Sequence, residues 1–491
     1  MTDANEATSR RALRQLCIWL LLLTAYRIWI IPHLGVSLYV DEAQYWTWAK
    51  ELDWGYYSKP PVVAWLIAAS TAVFGDGLIA VKLPSLLLYP ATSLVLFAMV
   101  RHLYATAPAL KVAVAFSLIP LVSALGLFVS TDAPLLFCWS AAMFALVRAL
   151  EDDRWTHWLL LGALVGIGLM AKYTMAAFGL SAALYVLIDA QRRRHLLNPK
   201  LWVAMLLAAA ILAPNLWWNW QNDFPTLRHT ADITHVAGND KSGNLGEFLL
   251  AQVGSLGPVF ALAFIASLGM AWRSRGESRT QLLLCFALPL LLITTAQSER
   301  AEANGNWAAP ALVGALILAT LWLSQRRAGW WRSAIAINAV LMLSVYHLQD
   351  IWHISGRELP PRWDPLNRGR GFPELAQQVR PLLAAHPGAF LLVDDRAYAA
   401  HMLYELRDLK PQLASWNRDP QGRIASHYQL KMPLDARYAG RTAIVVSKWD
   451  PADITATFGS VDTPVHWKLD IAEGRVRDAW LVVARDYQER R

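Results

Sequence analysis

The sequence predicts a mainly α-helical, polytopic membrane protein with about eleven transmembrane helices and a small α/β domain at its C-terminal end. Three observations support this fold class. The 491 residues are 55% hydrophobic and only 17% charged, whereas soluble domains contain roughly 25% charged residues. The apolar residues form long runs, which is typical of membrane-spanning helices. The last part of the chain is instead charged, contains prolines and has short β-type runs.

The apolar runs define the predicted spans, most of them near the roughly 20 residues that cross a bilayer. They cover residues 15–36, 78–100, 109–129, 133–150, 157–171, 174–190, 200–218, 247–271, 280–297, 306–324 and 332–348. The run at 157–171 is shorter and could extend by a few residues at either end. The run at 62–74 is too short to cross, so we expect an interfacial or re-entrant helix there. Residues 1–14 are basic and precede a long apolar run, which predicts a retained first helix and not a cleaved signal peptide.

Basic residues between the spans predict the orientation in the membrane. They occupy alternate short loops, as the positive-inside rule requires. These residues are Arg101, His102, Arg192, Arg193, Arg194, His195, Arg273, Arg275, Arg279, Arg326, Arg327 and Arg332. We therefore expect the N-terminus in the cytoplasm, with the first loop and the C-terminal segment on the opposite, periplasmic side of the membrane. Because membrane topology accounts for the net charge of +8, no nucleic-acid partner is expected.

Two domains are predicted. Residues 1–348 form the transmembrane domain, which includes a first periplasmic loop at 37–61, and residues 349–491 form a soluble periplasmic α/β domain. Within the second domain the pattern indicates three strands and, between the first two strands, one helix. The strands are Ala389–Val393, Thr442–Ser447 and Ala479–Ala484, and the helix is Ala397–Leu406.

The three cysteines indicate neither a disulfide framework nor a cysteine metal site. Each lies within an apolar run, and the chain has no CxxC motif. They are Cys17, Cys138 and Cys285.

The loop at 37–61 carries the first candidate site. Asp41 and Glu42 are adjacent carboxylates, and a dense group of aromatic residues follows them, including Tyr56 and Tyr57. Such aromatics belong in part to an interfacial belt, and they also suit a sugar face or a lipid head group. Lys59 precedes two prolines that stiffen the backbone, and an ammonium held at a fixed depth suits a phosphate. The alternatives are acids that solvate a loop and a lysine that snorkels to the interface.

Further polar residues lie at the periplasmic ends of later spans. Asp132 precedes Ala133 and Pro134. This position suits the start of a helix, and it also suits a functional carboxylate. Lys172 and Tyr173 interrupt an apolar run and should form the tip of a tight helical hairpin. The other candidates on this side are Arg228, His229, Asn306 and Trp307. Ionisable groups at the edge of a membrane suggest a functional site.

The absence of nucleotide motifs narrows the chemistry. The sequence contains no glycine-rich phosphate loop, no HExxH or GxSxG motif and no DxD motif in a soluble segment. The sequence therefore contains no recognisable motif for chemistry driven by ATP or by a nucleotide sugar.

Several motifs together resemble one enzyme group. DEAQYWTW and GYYSKPP, followed by STDAP, AKYT, PNLWWNWQNDFPTLRHT and NGNWAAP in that order, resemble the bacterial family 39 glycosyltransferases. These are GT-C-fold integral membrane enzymes related to protein O-mannosyltransferases and to the lipid A aminoarabinose and galacturonic acid transferases. The resemblance covers most of residues 37–310, and DDRAYAAHMLYEL is similar to the periplasmic domain of the family.

The resemblance implies a bacterial inner membrane protein, a sugar donor linked to polyprenyl phosphate and transfer on the periplasmic side, usually with inversion. Asp41 falls on the catalytic aspartate of the family's first loop, and Asp132 falls on its second acidic position. Lys59 falls on the lysine that contacts the donor phosphate in aminoarabinose-type enzymes, and Tyr56 falls on a tyrosine near that phosphate.

Two positions depart from the aminoarabinose pattern. Ser58 stands where those enzymes have a glutamate, and Gln44 stands where they have an arginine. The departures put a metal ligand and a phosphate contact in doubt, and they argue against membership of that subgroup.

We therefore expect an integral membrane glycosyltransferase that moves a sugar from a polyprenyl-phosphate donor to a periplasmic acceptor. Lipid A, lipopolysaccharide or another glycolipid is favoured as acceptor. Asp41 is the expected general base, with Glu42 as its alternative. Lys59, helped by Lys172 or Arg228, would neutralise the phosphate.

Asp132 would orient the acceptor or Asp41, or hold a divalent ion, which is the only cofactor that the residues suggest. Two other functions remain open. One is a protein O-glycosyltransferase of the same fold, and the other is a transporter for a lipid-linked solute, which would place ionisable groups nearer the bilayer midplane.

Overall fold

The computed structural model describes residues 3–233, 243–357, 359–360, 363–472 and 474–489. The chain divides into two compact units. The helical unit comprises Met1–Ile31, Lys59–Gly75 and Ile79–Tyr346, and the α/β unit comprises Pro32–Ser58, Asp76–Leu78 and His347–Arg491. The first loop thus groups with the C-terminal segment, although the sequence analysis placed it in the transmembrane domain. The division into functional domains stays a prediction.

Helices dominate the described chain. In chain order they are α1 Asp3–His33, α2 Val40–Lys50, α3 Val62–Phe74, α4 Leu78–Leu103, α5 Thr106–Leu118, α6 Pro120–Leu125, α7 Asp132–Asp152, α8 Trp155–Ala171, α9 Ala176–Ile188, α10 Ala190–Arg193, α11 Pro199–Gln221, α12 Pro225–Ile233, α13 Leu245–Leu256, α14 Pro258–Arg273, α15 Ser278–Arg300, α16 Ala311–Ser324, α17 Ala328–Tyr346, α18 Leu348–Ile354, α19 Phe372–Ala385, α20 Arg396–Glu405, α21 His427–Lys431 and α22 Ala452–Thr455.

Five of these helices are long and apolar enough to cross a membrane, namely α1, α4, α7, α11 and α15. Three bent helix pairs raise the number to eight if each pair is one span, and four shorter apolar helices accompany them. One of the four is α3, which is 13 residues long, so the short helix expected at 62–74 is present. The mainly helical membrane fold is confirmed, and the count of eleven spans stays a prediction.

Two of the predicted spans are each divided between two helices, and a proline explains each break. Residues 109–129 divide between α5 and α6 because Pro120 follows Ile119, whose extended backbone has ψ 141°. Residues 247–271 divide between α13 and α14, which meet at 102°. Pro258 cannot donate a helical hydrogen bond, and Gly257 before it has a φ of +85°. Proline disfavours the α conformation of the residue before it.

Close helix packing fixes the segment that carries Lys172. Helix α8 packs against both α7 and α11. A side chain at Gly162 of α8 would place its Cβ 2.4 Å from the carbonyl oxygen of Ala204 on α11. Small residues let helix backbones approach each other in this way. The approach sets the position of the end of α8 and hence of Lys172, which follows directly.

The α/β unit contains one six-stranded sheet. Its strands are β1 Phe390–Val393, β2 Leu413–Ser415, β3 Ala443–Ser447, β4 Phe458–Val461, β5 Val465–Ala472 and β6 Arg475–Tyr487. The order is β2-β1-β3-β6-β4, with β5 also paired to β6. β1 runs parallel to β2 and β3, whereas β6 runs antiparallel to β3, β4 and β5. Every residue of β1 and β3 is buried, as in strands covered on both faces.

The predicted strands correspond to β1, β3 and part of β6, and the predicted helix corresponds to α20. Three strands were not predicted. β2 has only three residues, and β4 and β5 are largely exposed or half-buried, so none of them has a strong apolar pattern. Helix α19 was also missed.

His401 of α20 is a buried imidazole in the core of the α/β unit. Its ring stacks on Phe372 with ring centroids 3.8 Å apart. Neither ring nitrogen has a hydrogen-bond partner among the described residues. Burial, with a smaller contribution from Arg477, lowers the pKa of His401 to about 3. The folded protein therefore keeps this ring neutral in mild acid.

We expect the α/β unit to lose stability as the pH falls from 6.5 towards 3. In that range the unfolded chain protonates His401 and the folded chain does not, so the proton favours unfolding. A pKa lowered from 6.5 to about 3 corresponds to about 2–3 kcal/mol at a pH about two units below the unfolded pKa. The variant H401F should show a shallower fall in thermal stability between pH 7 and pH 4.5. The exposed-histidine variant H353Q should keep the parent slope, and a parent-like slope in H401F would contradict the assignment.

Candidate active site

Helix α2 carries the first residues of the candidate site. Acidic residues in its first turn determine where the helix begins. The Glu42 carboxylate accepts the backbone N–H of Tyr39, the N-cap residue, at 2.8 Å. Acidic residues in a first turn also complement the helix dipole. Glu42 is 1% exposed and its carboxylate caps the helix, whereas Asp41 lies beside it with 48% of its side chain exposed. The two adjacent acids thus occupy different environments.

The opposite end of α2 is fixed by Asp76. Trp46 Nε1 donates to Asp76 Oδ1 at 2.8 Å, and the Lys50 ammonium pairs with the same oxygen. Tyr404 donates its hydroxyl to the Asp76 carbonyl at 3.3 Å. Burial raises the pKa of Asp76, but the hydrogen bonds from Lys50 and Trp46 outweigh burial and lower it. A charged anchor therefore holds the C-terminal half of α2.

Asp41 has one close partner in the α/β unit. Arg396 Nη1 donates to Asp41 Oδ1 at 2.7 Å and to Gln44 Oε1 at 2.9 Å. The second oxygen of Asp41 has no hydrogen-bond partner among the described residues of this unit. Arg396 therefore holds one carboxylate oxygen of Asp41, and the other oxygen is open to a substrate.

The aromatic part of the first loop packs on α2. The Tyr56 ring stacks on Trp48 with centroids 4.6 Å apart. Its hydroxyl lies 3.0 Å and 3.1 Å from the carbonyl oxygens of Trp48 and Glu51. Burial raises the pKa of Tyr56. This buried ring supports the loop, and its predicted contact with substrate stays a prediction.

Tyr57 contacts another segment of the α/β unit. Its hydroxyl donates to the carbonyl of Ile424 at 2.9 Å. Its backbone N–H lies 3.4 Å from His427 Nδ1. Burial lowers the pKa of His427 to about 3, so the ring remains a neutral acceptor for this N–H.

The helical unit contains a second polar group, centred on Asp132. This carboxylate is 2% exposed. Lys172 Nζ donates to Asp132 Oδ1 at 2.8 Å, and Asn306 Nδ2 donates to Asp132 Oδ2 at 2.9 Å. The three residues come from the start of α7, the end of α8 and a 3₁₀ turn, Gly305–Ala308. The structure thus joins three predicted site residues.

A third polar group surrounds Tyr173. Its hydroxyl donates to Asn215 Oδ1 at 2.6 Å and accepts from Asn219 Nδ2 at 3.3 Å. Just beyond α11, Asp223 and Phe224 have positive φ values of 60° and 55°. Such non-glycine conformations cost about 1–3 kcal/mol each and often accompany functional sites. Asn219 fixes this turn, because its backbone carbonyl accepts the N–H of Phe224 at 2.6 Å.

The remaining predicted residues are spread over other segments. Arg228 is exposed and His229 half-buried on α12. Trp307 packs against a small apolar cluster with Phe248 and Ala308. Lys59 is half-buried at the start of a segment of the helical unit. The predicted meeting of Asp41, Lys59 and Asp132 stays a prediction.

The surroundings of Asp132 do not suit a divalent ion. Both carboxylate oxygens accept hydrogen bonds, and one of them pairs with an ammonium group. A metal would have to displace Lys172. In the described parts of the chain, no group of three or more His, Cys, Asp and Glu side chains could hold a metal. The divalent ion that the sequence suggests stays a prediction.

Two buried cationic residues, Arg27 and Lys82, were not predicted from the sequence as site residues. Arg27 of α1 is 2% exposed; its Nε donates to the Tyr346 hydroxyl at 2.9 Å and its Nη2 to the Ser117 carbonyl at 3.1 Å. Lys82 of α4 is 4% exposed and lies 5.1 Å from the centre of the Phe128 ring. The sequence contained a signal for both residues, because an ionisable residue inside an apolar run suggests a functional role.

The described geometry suits proton transfer at Asp41 better than at the other two acids. Glu42 caps a helix, and Asp132 is neutralised inside the helical unit. Asp41 combines a fixed orientation with an exposed oxygen, which a general base needs to reach a substrate proton.

Comparison with known proteins identifies the class. Residues 58–218 match the family described as dolichyl-phosphate-mannose-protein mannosyltransferase. The lipid A galacturonosyltransferase of Rhizobium johnstonii is 29% identical over 454 residues, which cover 88% of this chain and 94% of that protein. The undecaprenyl phosphate-alpha-4-amino-4-deoxy-L-arabinose arabinosyl transferase of Pseudomonas aeruginosa strain UCBPP-PA14 is 26% identical over 219 residues, 40% of this chain and 39% of that protein.

A solved structure shows the same fold. ArnT from Cupriavidus metallidurans bound to undecaprenyl phosphate superposes with a TM-score of 0.67 at 16% identity, covering 94% of this chain and 98% of that one. The fold and these relatives define a membrane glycosyltransferase of the GT-C class. Together with the motifs, these similarities support a GT-C glycosyltransferase of family 39.

Proposed function

We propose that this enzyme transfers a sugar from a polyprenyl-phosphate donor to a glycolipid, with lipid A as the acceptor and galacturonic acid as the sugar. The similarity to the lipid A galacturonosyltransferase of Rhizobium johnstonii carries the proposal, because it extends over 94% of that protein. The aminoarabinose transferase of Pseudomonas aeruginosa matches over only 39% of its length. Gln44 and Ser58, which depart from the aminoarabinose pattern, favour the same choice.

The proposed reaction needs a base and a cation. The bond between the sugar C1 and the phosphate oxygen breaks, and the lipid phosphate leaves as an anion. The acceptor hydroxyl oxygen forms the new bond to C1, and its proton passes to the open oxygen of Asp41. Lys59 stabilises the negative charge that develops on the departing phosphate.

The polar group around Asp132 has a supporting role in this proposal. Lys172 and Asn306 hold the Asp132 carboxylate from both sides, so it is fixed in one orientation. We assign it to the acceptor side, where a fixed carboxylate accepts a hydrogen bond from a sugar hydroxyl.

The proposed orientation places the N-terminus in the cytoplasm and the site at the periplasmic surface of a bacterial inner membrane. The arginines of the alternate short loops support this orientation. A polyprenyl-phosphate sugar and a lipid A acceptor would then both approach from the periplasmic leaflet.

The experiment that tests the proposal is an in vitro transfer assay. The purified full-length protein in detergent is incubated with lipid A and, separately, with polyprenyl-phosphate galacturonic acid, aminoarabinose and mannose. We expect lipid A that has gained one hexuronosyl residue with the first donor, detected by mass spectrometry. An absence of new product with every donor would contradict the enzyme assignment, and a product with another donor only would correct the sugar.

One observation favours a second acceptor. The family that matches residues 58–218 is described by transfer to protein. Adding a periplasmic protein extract to the same assay distinguishes the two, because a protein glycosyltransferase would label protein and leave lipid A unchanged.

A further inference from the structure

Arg396 makes the contact on which this inference rests. It is the first residue of α20, directly after Asp395, whose side chain caps that helix by accepting the N–H of Ala397 at 2.7 Å. From this end of α20 its guanidinium reaches α2 and contacts Asp41 and Gln44. Asp41 and Gln44 are three residues apart, so they share one face of α2.

We infer that Arg396 is a positioning residue of the active site, which the C-terminal segment supplies to hold Asp41 in its reactive orientation. This inference rests on the proposed function, in which Asp41 removes the acceptor proton. Arg396 acts through Asp41.

The packing of α2 does not depend on Arg396. The Trp46 ring meets the Tyr404 ring edge-on at 5.1 Å, and the Tyr428 hydroxyl lies 3.2 Å from Thr47 Oγ1. These contacts, with the Asp76 anchor, join α2 to the rest of the α/β unit. The helix backbone is thus already fixed, and what remains for Arg396 is the rotamer of the Asp41 side chain.

The exposure of the pair supports the same conclusion. The side chains of Arg396 and Asp41 are 42% and 48% exposed. Exposed ion pairs contribute little to folding stability, so stability alone gives a weak reason for this contact. A single guanidinium nitrogen serves two acceptors on one helix face, which fixes the direction of the carboxylate.

The charge of Arg396 is secure. Partial desolvation opposes the charged form of the guanidinium, but the Asp41 carboxylate outweighs this effect and raises the pKa of Arg396. Because a guanidinium is protonated throughout the physiological pH range, Arg396 stays charged while Asp41 accepts a proton on its other oxygen. Because a misplacement of about 1 Å can reduce a rate about 100-fold, losing this contact should act mainly on turnover.

The first test is the variant R396Q of the full-length enzyme, assayed with the donor and acceptor identified by the transfer experiment. We expect kcat to fall about 10- to 100-fold, with KM for donor and acceptor changed little and with thermal stability close to the parent. R396K should recover part of the lost turnover, since it restores a charge but lacks the planar geometry of the guanidinium.

A matched control separates positioning from structural support. Lys431 and Asp53 form another ion pair between the same two segments, with 3.1 Å between Nζ and Oδ2 and 33% and 29% of the side chains exposed. K431Q removes that pair without touching Asp41, so kcat should stay near the parent value. An equal loss of kcat in K431Q and R396Q would show general loosening and would overturn the inference.

A charge-relocation variant provides the strongest test. Because Gln44 faces Asp41 on α2, an arginine at position 44 can reach the same carboxylate from within the helix. The double variant R396Q/Q44R should therefore recover turnover relative to R396Q. Undiminished kcat in R396Q, or no recovery in the double variant, would overturn the inference. Failure of the proposed function would appear separately, as an inactive parent enzyme.

Discussion

The variant D41N should reduce the turnover of sugar transfer by a factor of about 10²–10⁴, which is the usual contribution of a general base. Asparagine keeps the shape of the side chain but cannot take the acceptor proton at neutral pH. The effect should fall on kcat, because the donor and acceptor would still bind. Initial rates with the purified enzyme at saturating substrates measure this change.

The stability of D41N should stay close to that of the parent enzyme. Asp41 is half-exposed and its ion pair with Arg396 lies at the surface, so the pair contributes at most about 1 kcal/mol to folding. Thermal unfolding of parent and variant in the same detergent checks that the loss of rate is not a loss of folded protein.

Glu42 offers a matched control because it is the neighbouring acid and the alternative base. Its carboxylate is buried and caps α2. Because the amide oxygen of glutamine can accept the same N–H at this capping position, E42Q should stay folded and retain most of the turnover. The opposite pattern, with D41N active and E42Q folded but inactive, would transfer the role of base to Glu42. Full activity of both variants would remove this acidic pair from the mechanism.

The fold class was predictable because hydrophobic runs identify spanning helices from the sequence alone. The breaks within the runs were harder to predict. Ile119-Pro120 and Gly257-Pro258 carry the local signal of a boundary, but high hydropathy on both sides concealed it. The weak strands β2, β4 and β5 were missed because their short or exposed segments lack the alternation that marks a strand.

The candidate site was predictable where its residues lie at the ends of spans. Asp132, Lys172 and Asn306 are far apart in sequence, yet topology alone predicted a common side of the membrane, and the structure joins their side chains. The partner of Asp41 could not be found in this way. Arg396 is 355 residues away, in the C-terminal segment, and no period or spacing connects it with α2.

The variant K172M should give the largest loss of stability among the changes considered. It removes the ammonium from a pair whose side chains are 13% and 3% exposed. Among the described residues, Asn306 is then the one side chain that still donates a hydrogen bond to the buried Asp132 carboxylate. Breaking a buried ion pair in this way costs about 3–5 kcal/mol. Unfolding by titration with a denaturing detergent, followed by tryptophan fluorescence, measures the change.

The double variant D132N/K172M separates the structural role of the pair from its catalytic role. Removing both charges together relieves the uncompensated buried carboxylate, so most of the lost stability should return. Transfer activity should not return with it, because the carboxylate assigned to the acceptor side is gone. Recovery of both stability and activity would show that Asp132 serves only to neutralise Lys172.

A less buried ion pair provides the control for this measurement. Lys200 pairs with Asp153 at 2.8 Å, with 21% and 46% of the two side chains exposed. K200M should therefore cost less than about 1 kcal/mol. If K200M and K172M lose a similar amount of unfolding free energy, burial does not determine the strength of the Asp132–Lys172 pair. The assignment of that pair as a buried anchor of the site would then fail.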